Sequence, residues 1–197
     1  RLSDGATVWQ QAWGGAGDDA LFGVAAGDDG GAWAVGRKTE TKTGQDAWLV
    51  QFDGTGNLLA EGTADAGADD TLQDVVLSTT GTVTAVGHTL KHPGFDADRS
   101  LAVRVGAVAD GKVALAWKRH YGDTSTDSFS AGLALGDEVL AVGNERAKPT
   151  DPDYGWTARI SADGAPGCAC TMVHDKSALY PGNDHVLLGV GRLPGDG

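Results

Sequence analysis

Glutamate is scarce in this 197-residue chain: of 27 acidic residues only Glu40, Glu61, Glu138 and Glu145 are Glu, and 23 are Asp. Aspartate suits turns and caps, whereas glutamate suits helix surfaces, so a mainly helical chain is excluded. Basic residues are also few, 15 against those 27 acids, for a formal charge of −12. Phosphate binding needs clustered Lys and Arg, and so a nucleic-acid partner is excluded as well. Two cysteines, Cys168 and Cys170, are too few for a disulfide framework. No apolar run approaches the roughly 20 residues of a membrane-spanning helix. What the chain does have is 31 glycines. Glycine with aspartate makes turns, and such a composition leans toward an exported bacterial protein at an extracellular, periplasmic or cell-surface location.

The turns are periodic. Asp-Gly pairs stand at Asp4-Gly5, Asp53-Gly54, Asp110-Gly111 and Asp163-Gly164, at intervals of 49, 57 and 53 residues. Val-Gly pairs keep step at Val35-Gly36, Val86-Gly87 and Val142-Gly143, and one Asp opens each hydrophobic run: Asp19, Asp70, Asp127 and Asp184. Each unit holds four short apolar or alternating segments bounded by Gly, Asp or Asn, which predict strands. In the first unit they are ALFGVAA, AWAVGRK, DAWLVQFD and LLAEGTA; in the second, TLQDVVL, TVTAVGH, RSLAVRV and KVALAWKRHY; in the third, SFSAGLAL, EVLAVGN, GWTARIS and CACTMVH. Four strands in a repeat of about 50 residues is the signature of a propeller blade. The expected fold is all-β: a β-propeller of four-stranded antiparallel blades, incomplete at both ends. The blades fall at 19–69, 70–126 and 127–183. Residues 1–18 would supply strands three and four of a part-blade, and 184–197 the first strand of another. On this reading another chain, a second copy or a further segment completes the ring, because bare strand edges are costly.

The pattern Gly-Gly-x-x-x-Asp, Asp-Gly-Gly, Val-Gly, then Asp-x-Trp-Leu-Val-x-x-Asp-x-x-Gly-Asn, strongest over residues 14–70, resembles the repeats of bacterial secreted and lipoprotein β-propellers. Residues Ala109 to Trp117, ADGKVALAW, also resemble the Trp-bearing strand pair of quinoprotein propellers. These resemblances imply a scaffold, not a reaction, since propellers host many unrelated functions. Two functions stay open: a non-catalytic binding or scaffold module, and part of an enzyme propeller, quinoprotein-like or hydrolytic.

The expected binding face gathers Asp19, Asp70, Asp127 and Asp184 with three variable loops carrying His88, His92, Asp96, Asp98, Asp151 and Asp153. Carboxylates there suit Ca²⁺; one Asp per repeat equally suits capping of backbone N–H groups. A second candidate is CACTMVH, where Cys168, Cys170, Met172 and His174 alternate along one strand face. These are ligands for Cu(I) or Zn²⁺. Residues i and i+2 are about 6.5–7 Å apart on a strand, so one metal reaches both thiolates only with a bend, and a disulfide to a partner segment is the other reading. The tryptophans Trp33, Trp48 and Trp156, and Trp9 and Trp117 at equivalent places in fourth strands, are expected to fill the wedge between blades. No Ser-His-Asp set emerges from spacing.

Overall fold

Short apolar segments closed by Asp, Gly and Asn turns form strands, and the computed structural model is all-β. It describes residues 5–40, 44–67, 69–90, 98–122, 126–146, 148 and 150–165. Among these lie eleven strands and no helix: β1 (Ala20–Ala26), β2 (Ala32–Glu40), β3 (Gly44–Phe52), β4 (Leu58–Ala64), β5 (Asp69–Leu77), β6 (Val83–Leu90), β7 (Arg99–Ala109), β8 (Lys112–Tyr121), β9 (Thr126–Leu135), β10 (Glu138–Arg146) and β11 (Tyr154–Ile160). Asp184, His92, Asp96, Cys168, Cys170, Met172 and His174 lie outside the described residues.

Consecutive strands pair antiparallel within β1–β4, within β5–β8 and within β9–β11. The first two meanders join into one eight-stranded sheet of order β1-β2-β3-β4-β8-β7-β6-β5. The joint is a single parallel bridge, Glu61 to Lys112, made where the tip of the long β7–β8 hairpin reaches β4. The Glu61 N–H donates to Gly111 O there, at 3.1 Å. The two edge strands β1 and β5 lie against each other, so this sheet is nearly closed.

The Val-Gly positions have a steric cause. Each faces a bulge in the first strand of its meander, at Leu21/Gly23, Leu72/Asp74 and opposite Val142/Gly143. A Cβ on Gly36 would stand 1.9 Å from Ala20 O; on Gly87, 2.0 Å from Thr71 O; on Gly143, 1.8 Å from Ser128 O. The bulged carbonyl occupies the side-chain volume, so only glycine fits.

Side chains alternate between two cores. Trp33, Val35 and Leu49 of the first meander meet Leu72, Val75, Ala85, Leu101 and Val103 of the second. Val86, Ala102 and Tyr121 of the second meet Phe129, Val139, Trp156 and Ile160 of the third. The middle meander is therefore buried on both faces, which is why β7 carries a continuous apolar run, LAV at 101–103, and not an alternation. Arg104, also on β7, is itself buried. Its guanidinium donates to Thr84 Oγ1 (3.1 Å), Ala162 O (2.7 Å) and Asp137 O and lies over the Trp117 ring, tying the second meander to turns of the third.

On the far side of the first meander, Trp48, Val50 and Phe52 form a third cluster with Trp13. The expected strands over residues 5–18 do not form. This Gly-rich segment is held by aromatic stacking in place of a ladder: Trp13 stacks on Phe52 at 4.4 Å and Trp9 meets Trp13 edge-on at 6.4 Å.

Candidate functional site

Superposing the three meanders on their Val-Gly positions makes Asp19, Asp70 and Asp127 equivalent, each two residues before the residue paired with that glycine or with its counterpart. Asp19 caps backbone. Its Oδ2 accepts the Gly15 N–H at 2.5 Å and its Oδ1 the Thr39 N–H at 2.8 Å, which hold its carboxyl below the usual range. Asp70 repeats the first of these bonds, Oδ2 to the Ala66 N–H at 2.5 Å. Asp127 faces Arg99, whose Nη1 is 3.8 Å from its Oδ2, and both side chains are buried. These three carboxylates do not gather around one point. Among the described residues the group of acids close enough to share an ion is Asp46, Asp65 and Asp70, whose oxygens lie within 4.8 Å of one another.

This cluster sits at the junction of the first two meanders. Asp46 comes from the start of β3, Asp65 from the turn after β4, and Asp70 from β5. Asp46 and Asp70 are buried, whereas Asp65 is exposed and accepts the Gly67 N–H at 2.8 Å. Burial pushes the Asp70 carboxyl up to about 6. Hydrogen bonding by Thr89 and by the Ala66 N–H opposes the shift, and the charges of Asp65 and Asp46 add to it.

A pH dependence follows. In the unfolded chain Asp70 titrates near 3.8, so between about pH 4 and 6 the folded chain holds a proton that the unfolded chain has released. Stability therefore falls as pH rises across that window, by on the order of 2–3 kcal/mol from this group. Urea unfolding at pH 4 and 6.5 in chelating buffer checks it; Asp70→Asn is expected to remove this part of the slope.

The other candidate residues are placed separately. His88, on β6, is largely buried, and desolvation lowers its pKa; Asp98 opposes that and Arg37 reinforces it, leaving the imidazole neutral at pH 7. The Asp98 carbonyl accepts the Asp127 N–H at 3.2 Å. Asp151 N–H donates to Lys148 O at 2.9 Å. Asp153 takes a bidentate grip from Arg146, at 2.7 and 2.8 Å, so its charge is already met. Thr89 Oγ1 contacts His120 Nε2 at 3.2 Å, but Thr89 is fully buried and a nucleophile there could not meet a substrate.

Two depressions are formed by described residues. One, of about 470 Å³, is lined by Arg119, His120, Tyr121 and Asp163, with the Tyr121 hydroxyl committed to Gly164 O at 2.6 Å. The other, about 360 Å³, lies where β1, β5 and β9 converge and is lined by Ala25, Ala26, Val75, Val76, Leu77, Leu133 and Ala134; no residue lining it is titratable.

Sequence reasoning singled out Asp70 but not Asp46 or Asp65. The available signal was positional: Asp46 in the first repeat stands where the second has Arg99 and the third Tyr154, each paired two residues away from the position opposite the Val-Gly glycine. Comparison with known protein families and with curated proteins finds no match for the chain.

Proposed function

We propose that the chain is a β-propeller module of an exported bacterial protein, acting as a non-catalytic binding or scaffold unit within a larger assembly. The meanders β1–β4 and β5–β8, and the one opened by β9–β11, would be its blades, and β1, β5 and β9 their inner strands. The resemblance to secreted and lipoprotein propeller repeats supports this, as does the shared register of Asp and Val-Gly positions. The apolar cleft between the inner strands is lined by no acid or base that could activate a nucleophile, which favours a module over an enzyme.

One observation carries the assembly reading. Leu72 and Val75 of β5 and Phe129 of β9 are at most 3% exposed, each covered by the preceding meander. Their equivalents on β1, Leu21 and Val24, are 37% and 70% exposed, with Phe22 between them at 48%. An apolar strand face that its own repeat buries twice over is a docking face for one more sheet of the same kind. Leu21→Lys with Val24→Lys is expected to reduce the native mass to that of one chain, with the β-sheet circular dichroism retained. Sedimentation velocity of both proteins checks it. A wild-type chain that sediments as a single copy would sink the assembly reading.

A further inference from the structure

We propose that Asp46, Asp65 and Asp70 form a calcium site that clamps the first meander to the second. The inference stands apart from the assembly reading, since the site lies wholly within this chain.

Three acids close together do not make a site, because such groups are common on surfaces. Here the buried members supply the argument. Asp70 is 0% exposed, and its Oδ1 is buried without a hydrogen-bond partner. The equivalent oxygen of Asp19 accepts the Thr39 N–H, so the repeat has a way to satisfy this atom that the second meander does not use. The Thr89 hydroxyl lies near enough to act on the Asp70 carboxyl, but it also meets His120 Nε2 at 3.2 Å and completes no hydrogen bond to Oδ1. A buried carboxylate oxygen left so is expensive unless a cation meets it.

The repeat itself shows what belongs there. At the next junction Arg99, from the start of β7, puts its guanidinium against Asp127 of β9. Asp46 occupies the position of Arg99, since Asp46 pairs with Lys38 two residues past Gly36, and Arg99 pairs with Thr89 two residues past Gly87. One junction thus has acid facing base. The other has acid facing acid, with a third acid added from the turn. The lysines of the neighbouring strands make other bonds: Lys38 Nζ bonds Glu61 Oε2 at 3.1 Å, and Lys118 Nζ, beside the cluster, donates to the Asp65 backbone carbonyl and not to its carboxylate. A bound cation would do at the first junction what Arg99 does at the second.

The chemistry selects a hard cation, because the ligands are carboxylate oxygens. Two oxygens on one Ca²⁺, each at about 2.4 Å, can be at most about 4.8 Å apart. All three acids fall within that limit. Mg²⁺ holds its ligands at about 2.1 Å in a strict octahedron and keeps most of its water, which suits a half-buried triple-carboxylate site less well. Asp65, the exposed member, leaves a way in and room for water ligands.

The test uses the full chain, dialysed against chelator and then titrated with CaCl₂, followed by calorimetry and by thermal melting. Saturable binding of one Ca²⁺ per chain is expected, with a rise in Tm. Asp65→Asn, at an exposed position, should still fold and melt cooperatively in chelator and weaken binding by at least about tenfold. Asp46→Arg copies the second junction: it should abolish calcium binding and raise the melting temperature in chelator, while Asp19→Asn should bind as wild type. Absence of binding by the wild type would overturn the site, as would wild-type affinity in Asp65→Asn or an equal response to MgCl₂.

Discussion

Phe129→Ala is expected to cost about 3–5 kcal/mol, the range for removing a large buried aromatic. Phe129 is fully buried on β9, stacked at 4.7 Å and 6° on Trp156 of β11 and tilted at 5.7 Å against Tyr121 of β8. It is thus a central side chain in the packing of the third meander on the second. The truncation removes apolar burial and two ring contacts, which by themselves are worth about 0.5–1.5 kcal/mol each. The cavity cannot close cheaply, because its walls are the opposing strands β6, β7 and β10, each fixed in a ladder. Phe22→Ala provides the contrast. Phe22 is 48% exposed and meets Arg37 only at 5.8 Å, so a loss of less than about 1 kcal/mol is expected in the isolated chain. Urea unfolding followed by circular dichroism measures both. If Phe129→Ala cost no more than Phe22→Ala, the third meander would not be packed on the second.

Much of this was legible in the residues. ALFGVAA, LLAEGTA and KVALAWKRHY are β1, β4 and β8 to the residue, and the other described strands differ from their segments only at the ends. Periodicity of apolar residues between Asp-Gly turns was sufficient there, because each strand is short and its turn chemistry explicit. Asp53 shows how explicit: its carboxylate accepts the Thr55 and Asn57 N–H groups, both at 2.9 Å, closing the turn from within. Two things were not legible. The β7–β8 hairpin outgrows its repeat and bridges to β4, which turns two meanders into one nearly closed sheet; Asp110-Gly111 marks the hairpin but says nothing of what its tip meets. The acid cluster was hidden for a different reason. Asp46, Asp65 and Asp70 are 24 residues apart end to end and belong to two repeats, so only the stacking of meanders brings them together. A repeat shows in sequence what its copies share, and this cluster arises where the copies differ.

Gly87→Ala is expected to cost about 3 kcal/mol, at the upper end of the usual range for overpacking. Backbone conformation is not the cause, since Gly87 carries no left-handed φ. The cause is space. The new methyl would stand 2.0 Å from Thr71 O and 2.7 Å from Leu72 Cα, both backbone atoms that cannot rotate away. Relief requires β5 and β6 to part at the bulge. That displaces Leu72, in the first core, and Val86, in the second, so one methyl disturbs both cores at once. Gly81→Ala separates the two mechanisms. Gly81 has φ +83° in the β5–β6 turn with nothing within 4 Å of its would-be Cβ, so it should lose only about 1 kcal/mol, from strain. Urea unfolding of both variants decides. A loss at Gly87 no greater than at Gly81 would mean that the Thr71 carbonyl does not fill that volume. The same substitution at Gly36 sharpens the point. Its clash, 1.9 Å from Ala20 O, is as severe, yet β1 bears exposed Leu21 and Val24 and can yield outward. In the isolated chain Gly36→Ala should therefore cost less than Gly87→Ala. The two costs should converge once a further sheet covers β1, which makes the difference between them a measure of whether that face is occupied.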